Sequence, residues 1–287
     1  MCTIYAELAQ DMHQCWCSAA ALLALLHLSA CYMYCITPTQ SEGSEANVSC
    51  LTFTQFANSS RNLVSDTTLI LRPGNYTLDV EISIFNISQF SMLGNASTVS
   101  PLNFTIVCES QAKFNFEAVN SIFIHGLSFV GCGDNTFIGV DHLTINNTIF
   151  CGTEESHTAI ILKQTTATII SSVFASNRIG RLANQTFTRV GGAIIATMNS
   201  SMSIYGSSFQ NNSADYGGAI YAELESTVTL NKCHFSENTA LSNGGCIHAS
   251  TSIISISDST FTNNGGCLLY TSPSPRDATL SRMPSSA

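Results

Sequence analysis

Charged residues are scarce in this chain of 287 amino acids. Lys and Arg together number 10, Asp and Glu number 19, and the formal net charge is −9. So few basic residues exclude the clustered cationic surface that nucleic-acid binding requires. Disorder is also excluded, because 45% of the residues are hydrophobic. Proline is rare, whereas Ser, Thr and Asn are abundant, a composition typical of short strands joined by many turns.

Asparagine-linked glycosylation signals and cysteines are plentiful instead. Ten N-x-[ST] sequons and twelve cysteines in a β-rich, Lys-poor chain favour passage through the secretory pathway. We therefore expect a secreted or cell-surface glycoprotein. The candidate glycosylation sites are Asn47, Asn58, Asn75, Asn86, Asn95, Asn103, Asn146, Asn184, Asn199 and Asn211.

The N-terminus carries an apolar run from Cys15 to Ile36. Its length and position predict a hydrophobic helix within residues 1–36 that acts as a signal peptide cleaved near Ala30, or as a retained signal anchor. No Lys or Arg precedes the run, and Met12 is an alternative start.

Phenylalanine marks an internal repeat. Six phenylalanines are spaced 21, 24, 35, 26 and 26 residues apart, and periods of this length indicate a repeat architecture. They are Phe129, Phe150, Phe174, Phe209, Phe235 and Phe261.

Other residues keep fixed positions relative to each phenylalanine. Apolar residues lie five and seven positions before it, as on one buried face of a strand. An asparagine lies three positions after the last four, at Asn177, Asn212, Asn238 and Asn264. Glycine pairs follow at Gly191–Gly192, Gly217–Gly218 and Gly244–Gly245.

These units are too short for a strand–helix–strand crossover, which needs about 30 or more residues. Each is therefore expected to form one coil of an all-β, single-stranded, right-handed parallel β-helix. Stacked coils would align the phenylalanines and the asparagines into two internal ladders, with the glycine pairs at a tight corner. We expect about eight coils over residues 66–266, with an N-terminal cap over 37–65.

The 35-residue spacing leaves an excess of nine residues, which we assign to a surface loop between Asn177 and Gly191. This loop carries Arg178, Arg181 and Arg189. A solvated, glycosylated insertion is the preferred interpretation. A binding loop for an anionic partner is the alternative.

The segments "SFQNNSADYGGAIYAE" and "HFSENTALSNGGCIHAS" resemble the polymorphic outer membrane protein repeat, F-x-x-N followed by G-G-A-[ILV]. The stretch "LILRPGNYTL" resembles the first coils of pectin-lyase-like β-helices. The resemblance implies a surface or extracellular β-helix, and it raises polysaccharide lyase or hydrolase activity as an alternative.

The last segment, residues 267–287, reads "CLLYTSPSPRDATLSRMPSSA" and lacks the repeat pattern. It resembles a translated sequencing adapter. We therefore expect it to be non-native and the β-helix to be truncated at its C-terminal end.

No constellation of catalytic residues stands out. Acidic residues are scattered, and the signatures N-T-D, D-D and R-I-K of polygalacturonases are absent. Glu223 and Glu225 are expected to point the same way from one strand. We assign no catalytic, cofactor-binding or metal-binding residue.

The cysteines leave several pairings open. Cys132 and Cys151 lie on adjacent predicted coils, and Cys50 with Cys108 would pin the cap to the early coils. Cys233, His234, Cys246 and His248 lack a standard zinc spacing, and adjacent strand residues face opposite sides. An inter-coil disulfide and buried thiols are the alternatives there, and Cys246 occupies the repeat position of Ala193 and Ala219.

We therefore expect a structural, adhesive or ligand-recognition glycoprotein that acts outside the cell or at its surface. The expected partners are carbohydrate or cell-surface proteins, with no cofactor and no nucleic acid. Contact with a membrane is expected only through an anchor at the N-terminus or in a missing C-terminal part. The alternatives are a pectin-lyase-like enzyme and the ectodomain of a membrane-anchored receptor.

Overall fold

The computed structural model describes residues 32–36, 51–60, 63, 66–94, 101–109, 112–153, 157–179, 189–265 and 269–272. Several predictions fall outside these ranges. They concern the apolar segment up to residue 31, most of the arginine-containing loop, most of the C-terminal tail, and the residues Asn47, Cys50, Asn95, Arg181 and Asn184.

The first third of the described chain contains a short helix and eight strands. These are β1 (Tyr32–Ile36), α1 (Phe53–Ser60), β2 (Thr67–Leu71), β3 (Gly74–Leu78), β4 (Ile82–Phe85), β5 (Gln89–Gly94), a 3₁₀ turn at Pro101–Asn103, β6 (Phe104–Cys108), β7 (Phe114–Glu117) and β8 (Ser121–His125).

The middle of the chain is made of strands of three to five residues. These are β9 (Ser128–Val130), β10 (Asn135–Ile138), β11 (His142–Asn146), β12 (Ile149–Cys151), β13 (Ile160–Lys163), β14 (Thr166–Ile170), β15 (Val173–Ala175), β16 (Ile194–Thr197), β17 (Ser201–Tyr205) and β18 (Ser208–Gln210).

The pattern continues to the end of the described chain. The remaining strands are β19 (Ser213–Tyr216), β20 (Ile220–Ala222), β21 (Thr227–Asn231), β22 (His234–Ser236), β23 (Thr239–Asn243), β24 (Ile247–Ser250), β25 (Ile253–Ser257), β26 (Thr260–Thr262) and β27 (Leu269–Ser272).

The strands form three long parallel sheets that run side by side. Sheet I has the order β1-β2-β5-β8-β11-β14-β17-β21-β25, sheet II contains β3-β6-β9-β12-β15-β18-β22-β26, and sheet III contains β4-β7-β10-β13-β16-β20-β24-β27. The chain passes from sheet I to sheet II to sheet III and back, and one such circuit is a coil. A small fourth sheet pairs β19 with β23 in parallel. The expectation of an all-β parallel solenoid is therefore confirmed.

Left-handed backbone conformations turn the chain at its corners. At the corner where sheet III passes into sheet I, successive coils place a positive-φ residue at Asn86, Ala118, Gly139, Gln164, Asn199, Glu225 and Thr251. These turns join into a continuous network, because the backbone N–H of Asn86 donates to the carbonyl of Glu117 (3.1 Å) and that of Ala118 donates to Ile138 (2.9 Å). Each corner is thus supported by the next coil.

Stacked phenylalanine rings fill the interior behind sheet II. Five successive ring pairs from Phe129 to Phe261 have centroid separations of 4.8, 5.2, 4.9, 4.6 and 4.8 Å, and the rings are within 7° of parallel. Parallel register aligns them, since Phe150 pairs with both Phe129 and Phe174. A second stack, Phe114–Phe116–Phe137, fills the earlier coils behind sheet III.

Asparagine side chains form a second internal ladder. Asn177, Asn212 and Asn238 are completely buried, and Asn264 is half-buried at the last coil. The side-chain amide of each of the first three donates to the side-chain oxygen of the next, at 2.9–3.0 Å. The same amides also donate to the carbonyls of Phe150, Phe174 and Phe209, so that each asparagine connects coils on both sides.

The glycine pairs lie at the corner before sheet III. The first glycine of each pair, Gly191, Gly217 or Gly244, has φ between 62° and 68°. The second glycine allows the close approach of another coil. A Cβ added to Gly218 would lie 2.3 Å from the carbonyl oxygen of Gly245 and 2.4 Å from that of Thr239.

The N-terminal end of the solenoid differs from the prediction of a helix within residues 1–36. Residues Tyr32–Ile36 form β1, which pairs in parallel with β2, and Ile36 is completely buried. A strand is favoured here because it satisfies the backbone hydrogen bonds along the edge of sheet I. The prediction for residues 1–31 lies outside the described residues.

Helix α1 lies within the segment predicted to cap the solenoid. Thr52 begins it with a capping box, because its hydroxyl accepts a bond from the N–H of Gln55 (3.2 Å) and the Gln55 side chain accepts one from its N–H (2.8 Å). Phe53 packs edge-on against Tyr76 and Phe114. The helix thus covers the first coils.

The C-terminal end of the solenoid is less buried than the earlier coils. Ile254, Ile256 and Phe261 occupy the same inward positions as buried residues in earlier coils, yet they are only partly buried. Strand β27, which pairs with β24, lies inside the segment that resembles an adapter sequence. Residues 273–287 lie outside the described part of the chain.

Candidate functional site

The outer face of sheet I is uncharged over its last four strands. Alternation in β14, β17, β21 and β25 turns one set of side chains outward. None of them is ionisable at neutral pH: Thr166, Thr168, Ile170, Ser201, Ser203, Tyr205, Thr227, Thr229, Asn231, Ile253, Ser255 and Ser257. We call this surface the hydroxyl face.

A straight row of hydroxyl groups runs along the middle of the hydroxyl face. Strand register places Thr168 opposite Ser203, Ser203 opposite Thr229, and Thr229 opposite Ser255. Thr144 of β11 extends the row by one coil. Adjacent strands are about 4.8 Å apart, so the row is a regular array of groups that both donate and accept hydrogen bonds.

A cluster of ionisable side chains lies on the outer face of sheet III. Tyr221 and His248 are in register on β20 and β24, with ring centroids 5.1 Å apart and nearly parallel. Tyr216 meets His248 edge-on at 5.2 Å. The carboxylate of Glu223 accepts bonds from the hydroxyls of Tyr221 and Thr197, both at 3.1 Å.

Burial sets the protonation of this cluster. It raises the pKa of Tyr221 to about 12, with a further contribution from Glu223, so the phenol stays protonated and donates. Burial also lowers the pKa of His248, which is 6% exposed, against the opposing influence of Glu223. At neutral pH this cluster therefore combines an uncharged imidazole with a hydrogen-bonded carboxylate.

Glu225 does not join Glu223 as expected. Strand β20 ends at Ala222, and Leu224 and Glu225 lie in a turn with φ of 51° and 63°. The alternation that would place the two carboxylates on one face therefore stops before it reaches Glu225. The sequence pattern was wrong here because it assumed a strand through the corner.

A histidine–aspartate pair joins two neighbouring coils elsewhere. Nδ1 of His157 lies 2.6 Å from Oδ2 of Asp134, and the backbone N–H of Thr158 donates to the other carboxylate oxygen (3.1 Å). Sequence reasoning missed this pair. Its signal is the separation of 23 residues, which is about one coil.

The arginine-containing loop is described only at its ends. Arg178 is exposed and donates to the side-chain oxygen of Asn211 (3.0 Å). Arg189 is only 8% exposed, and its backbone carbonyl accepts from Asp215 and Tyr216. Arg189 is therefore part of the wall of the solenoid and is poorly placed to meet an anionic partner.

The disulfide of the described chain joins Cys108 to Cys132, whose Cα atoms are 4.9 Å apart. This corrects both proposed pairings. Cys132 follows Gly131 (φ 71°), which turns the chain so that the Cys132 side chain points into the core. Cys151 lies beside Phe150 on the outer face of β12, so the two sulfur atoms lie on opposite sides of the wall.

The remaining described cysteines with placed side chains, Cys151, Cys233 and Cys246, are free thiols. Cys246 is buried at the position of Ala219, as the repeat pattern predicted for a thiol replacing a small core residue. Burial raises its pKa to about 12, so the thiol is protonated at neutral pH. Nδ1 of the half-buried His234 instead lies 2.7 Å from Oγ1 of Thr260.

The acceptor asparagines of the described sequons differ in burial from the asparagines of the core. Seven sequon asparagines lie in the described chain. Asn58, Asn75, Asn86, Asn103 and Asn199 are exposed, and Asn146 and Asn211 are half-buried. None of the four buried asparagines, Asn135, Asn177, Asn212 and Asn238, is the acceptor residue of a sequon.

Within the described ranges, no group of three or more His, Cys, Asp or Glu side chains could hold a metal ion. The same ranges contain no helix long and apolar enough to cross a membrane.

Comparison with known proteins identifies the family but no individual relative. No curated protein and no solved structure matches the chain. A family model described as the right-handed beta helix region matches residues 105–281, which is more than half of the chain. The match covers the phenylalanine and asparagine ladders and the disulfide cysteines. The chain therefore belongs to the right-handed β-helix family.

Proposed function

We propose that this protein is an extracellular or cell-surface glycoprotein that serves as a rigid recognition or adhesion scaffold. The hydroxyl face of sheet I carries this proposal. It is an extended, uncharged surface on which Thr168, Ser203 and Thr229 repeat in register. The polymorphic outer membrane protein-type repeat and the pectin-lyase-like opening support the same placement by resemblance.

Rigidity is the physical basis of recognition in this proposal. Thr168 and Thr229 are β-branched and have restricted side-chain rotamers. Their strands are held in register by the internal ladders, so little conformational entropy is lost when a ligand binds. Hydroxyl groups act as donors and acceptors, which suits an uncharged ligand such as a neutral carbohydrate or a polar protein surface.

The experiment is a binding comparison between two faces of the same chain. The full chain is expressed with its own N-terminus in eukaryotic cells, and its location is read from intact-cell staining and from the medium. Binding to a panel of cell surfaces and neutral polysaccharides is then measured for the triple variant Thr168→Lys, Ser203→Lys, Thr229→Lys. The matched control places lysines on sheet II, at Ser208, Ser236 and Thr262, which are in no sequon.

We expect the unmodified chain outside the cell, and binding reduced at least tenfold by the sheet I variant but unchanged by the control. Retention of the chain inside the cell would overturn the proposed location. Equal binding by the two variants would overturn the assignment of the hydroxyl face.

A second candidate function is a polysaccharide lyase or hydrolase, favoured by the cluster of Tyr221, Glu223 and His248. A carboxylate beside a neutral imidazole can act in proton transfer. The test measures new reducing ends and unsaturated products from a polysaccharide panel. Activity that is abolished by Glu223→Gln but retained by the exposed-turn variant Glu225→Gln would support this candidate, and a complete lack of turnover would reject it.

A further inference from the structure

Two of the sequons in the described chain have a distinctive geometry. In Asn86-Ile87-Ser88 and Asn199-Ser200-Ser201, the asparagine and the serine are both exposed, whereas the middle residue is at most 3% exposed. The alternation of the chain thus presents both recognition groups on the outer surface. Among the other described sequons, the hydroxyl residue is half-buried or buried, as with Thr148 and Ser60.

Both asparagines also occupy the same corner of the solenoid. Asn86 (φ 54°) and Asn199 (φ 61°) are positive-φ residues where sheet III passes into sheet I. Four coil steps separate them, which corresponds to about 19 Å at a strand spacing of about 4.8 Å. Neither side chain fills the interior, so a large group attached to either one meets solvent.

From this geometry we infer that Asn86 and Asn199 carry N-linked glycans along one long edge of sheet I, and that the glycan on Asn199 borders the hydroxyl face. The inference rests on the extracellular location proposed above. In the transfer, Nδ2 of the asparagine forms a bond to the anomeric carbon of an oligosaccharide. The bond from that carbon to a lipid diphosphate donor breaks, the amide loses a proton, and the lipid diphosphate leaves.

The asparagines have another physical role that the test must separate from modification. Asparagine tolerates positive φ better than most residues, so each would suit its corner even without a glycan. Replacing it would therefore change the turn as well as the sequon. The serine two residues later is exposed at both sites, and its removal destroys the sequon while the corner remains intact.

The experiment uses the full chain secreted from eukaryotic cells in two versions, one with its own N-terminus and one preceded by an established secretion leader. Glycopeptides are assigned by mass spectrometry before and after enzymatic removal of N-glycans. The variants are Ser88→Ala and Ser201→Ala, and the matched controls are Ser88→Thr and Ser201→Thr, which retain the sequon.

We expect glycans at both asparagines, the loss of one glycan in each alanine variant, and retention of both in the threonine variants. The melting temperature of the deglycosylated alanine variants should equal that of the deglycosylated parent. Secreted chain with unmodified Asn86 and Asn199 would overturn the inference but leave the proposed location intact. Glycans on the leader-directed version, with retention of the native version inside the cell, would overturn the proposed location but leave the site assignment intact.

Discussion

The side-chain oxygen of Asn212 accepts two hydrogen bonds from Asn177, one from its backbone N–H (3.1 Å) and one from its side-chain amide (3.0 Å). The same arrangement recurs between Asn212 and Asn238, at 3.1 and 2.9 Å. One amide side chain therefore satisfies groups in the preceding coil and in the following coil. A buried ladder of this kind holds the coils in register because a shift would leave several polar groups without partners.

Asn212→Ala should destabilise the fold strongly. The substitution leaves the backbone N–H and side-chain amide of Asn177 without their acceptor, in a site that excludes water. We expect the free energy of unfolding to fall by about 3 kcal/mol or more, measured by chemical denaturation. The control Asn120→Ala alters an exposed side chain and should change it by less than about 0.5 kcal/mol. Similar losses in the two variants would contradict this account of the ladder.

Thr153→Asn should stabilise the protein by extending the ladder. Thr153 occupies the ladder position one coil before Asn177, and Oδ1 of Asn177 and Oγ1 of Thr153 are both buried without a partner among the described residues. An asparagine amide there would donate to Oδ1 of Asn177, for a gain of about 1 kcal/mol in the free energy of unfolding. In a double-mutant cycle with Asn177→Leu the gain should vanish, and a gain that persists would show that it has another source.

Gly218→Ala should be far more damaging than Gly206→Ala. Gly218→Ala places a methyl group against two backbone oxygens of the following coil, and the backbone cannot move without breaking the contact between the coils. Gly206 has a φ of 54°, but a Cβ added there would meet no atom closer than 4.0 Å. Gly206→Ala should therefore carry only the conformational cost of about 1 kcal/mol. Thermal unfolding of both variants tests this difference. Equal melting temperatures would show that the close contact between coils at Gly218 does not add to the cost of the substitution.

Stability should decrease in mild acid through His248. Burial lowers the pKa of His248, so below about pH 6.5 the unfolded chain binds a proton that the folded chain resists. The stabilising contribution is therefore complete above that pH and is lost as the pH falls toward the lowered folded pKa. Denaturant unfolding between pH 7.5 and about 5 should show this slope reduced in His248→Phe, which keeps an aromatic ring beside Tyr221. Replacement of the exposed His142 by Gln serves as the control, and an unchanged slope in His248→Phe would refute the assignment.

Much of the fold followed from periodicity. The phenylalanines and the apolar residues five positions before them recur with the coil, and parallel pairing places Ile204 opposite Ile169 and Leu230. Local spacing predicts such positions well because stacked coils repeat the same environment. The corner glycines followed for the same reason.

The contacts between cysteine, histidine and acidic side chains were predicted less well. The pairing of Cys108 with Cys132 depends on the turn at Gly131, and the contact of His157 with Asp134 depends on which coils are neighbours. The placement of Glu225 depends on the end of strand β20. These relationships are set at corners, where alternation no longer predicts the direction of a side chain.

The sequence by itself determined that this chain coils into stacked parallel strands, since its phenylalanine, asparagine and glycine positions repeat at the length of one coil. The low number of charged residues was also evident from the sequence alone. Only the tertiary structure decided which residues from different coils meet, because the contact of Tyr221 with His248 and the shared corner of Asn86 and Asn199 arise from register and corner geometry. Those properties are cooperative, and each depends on hydrogen bonds supplied by a neighbouring coil.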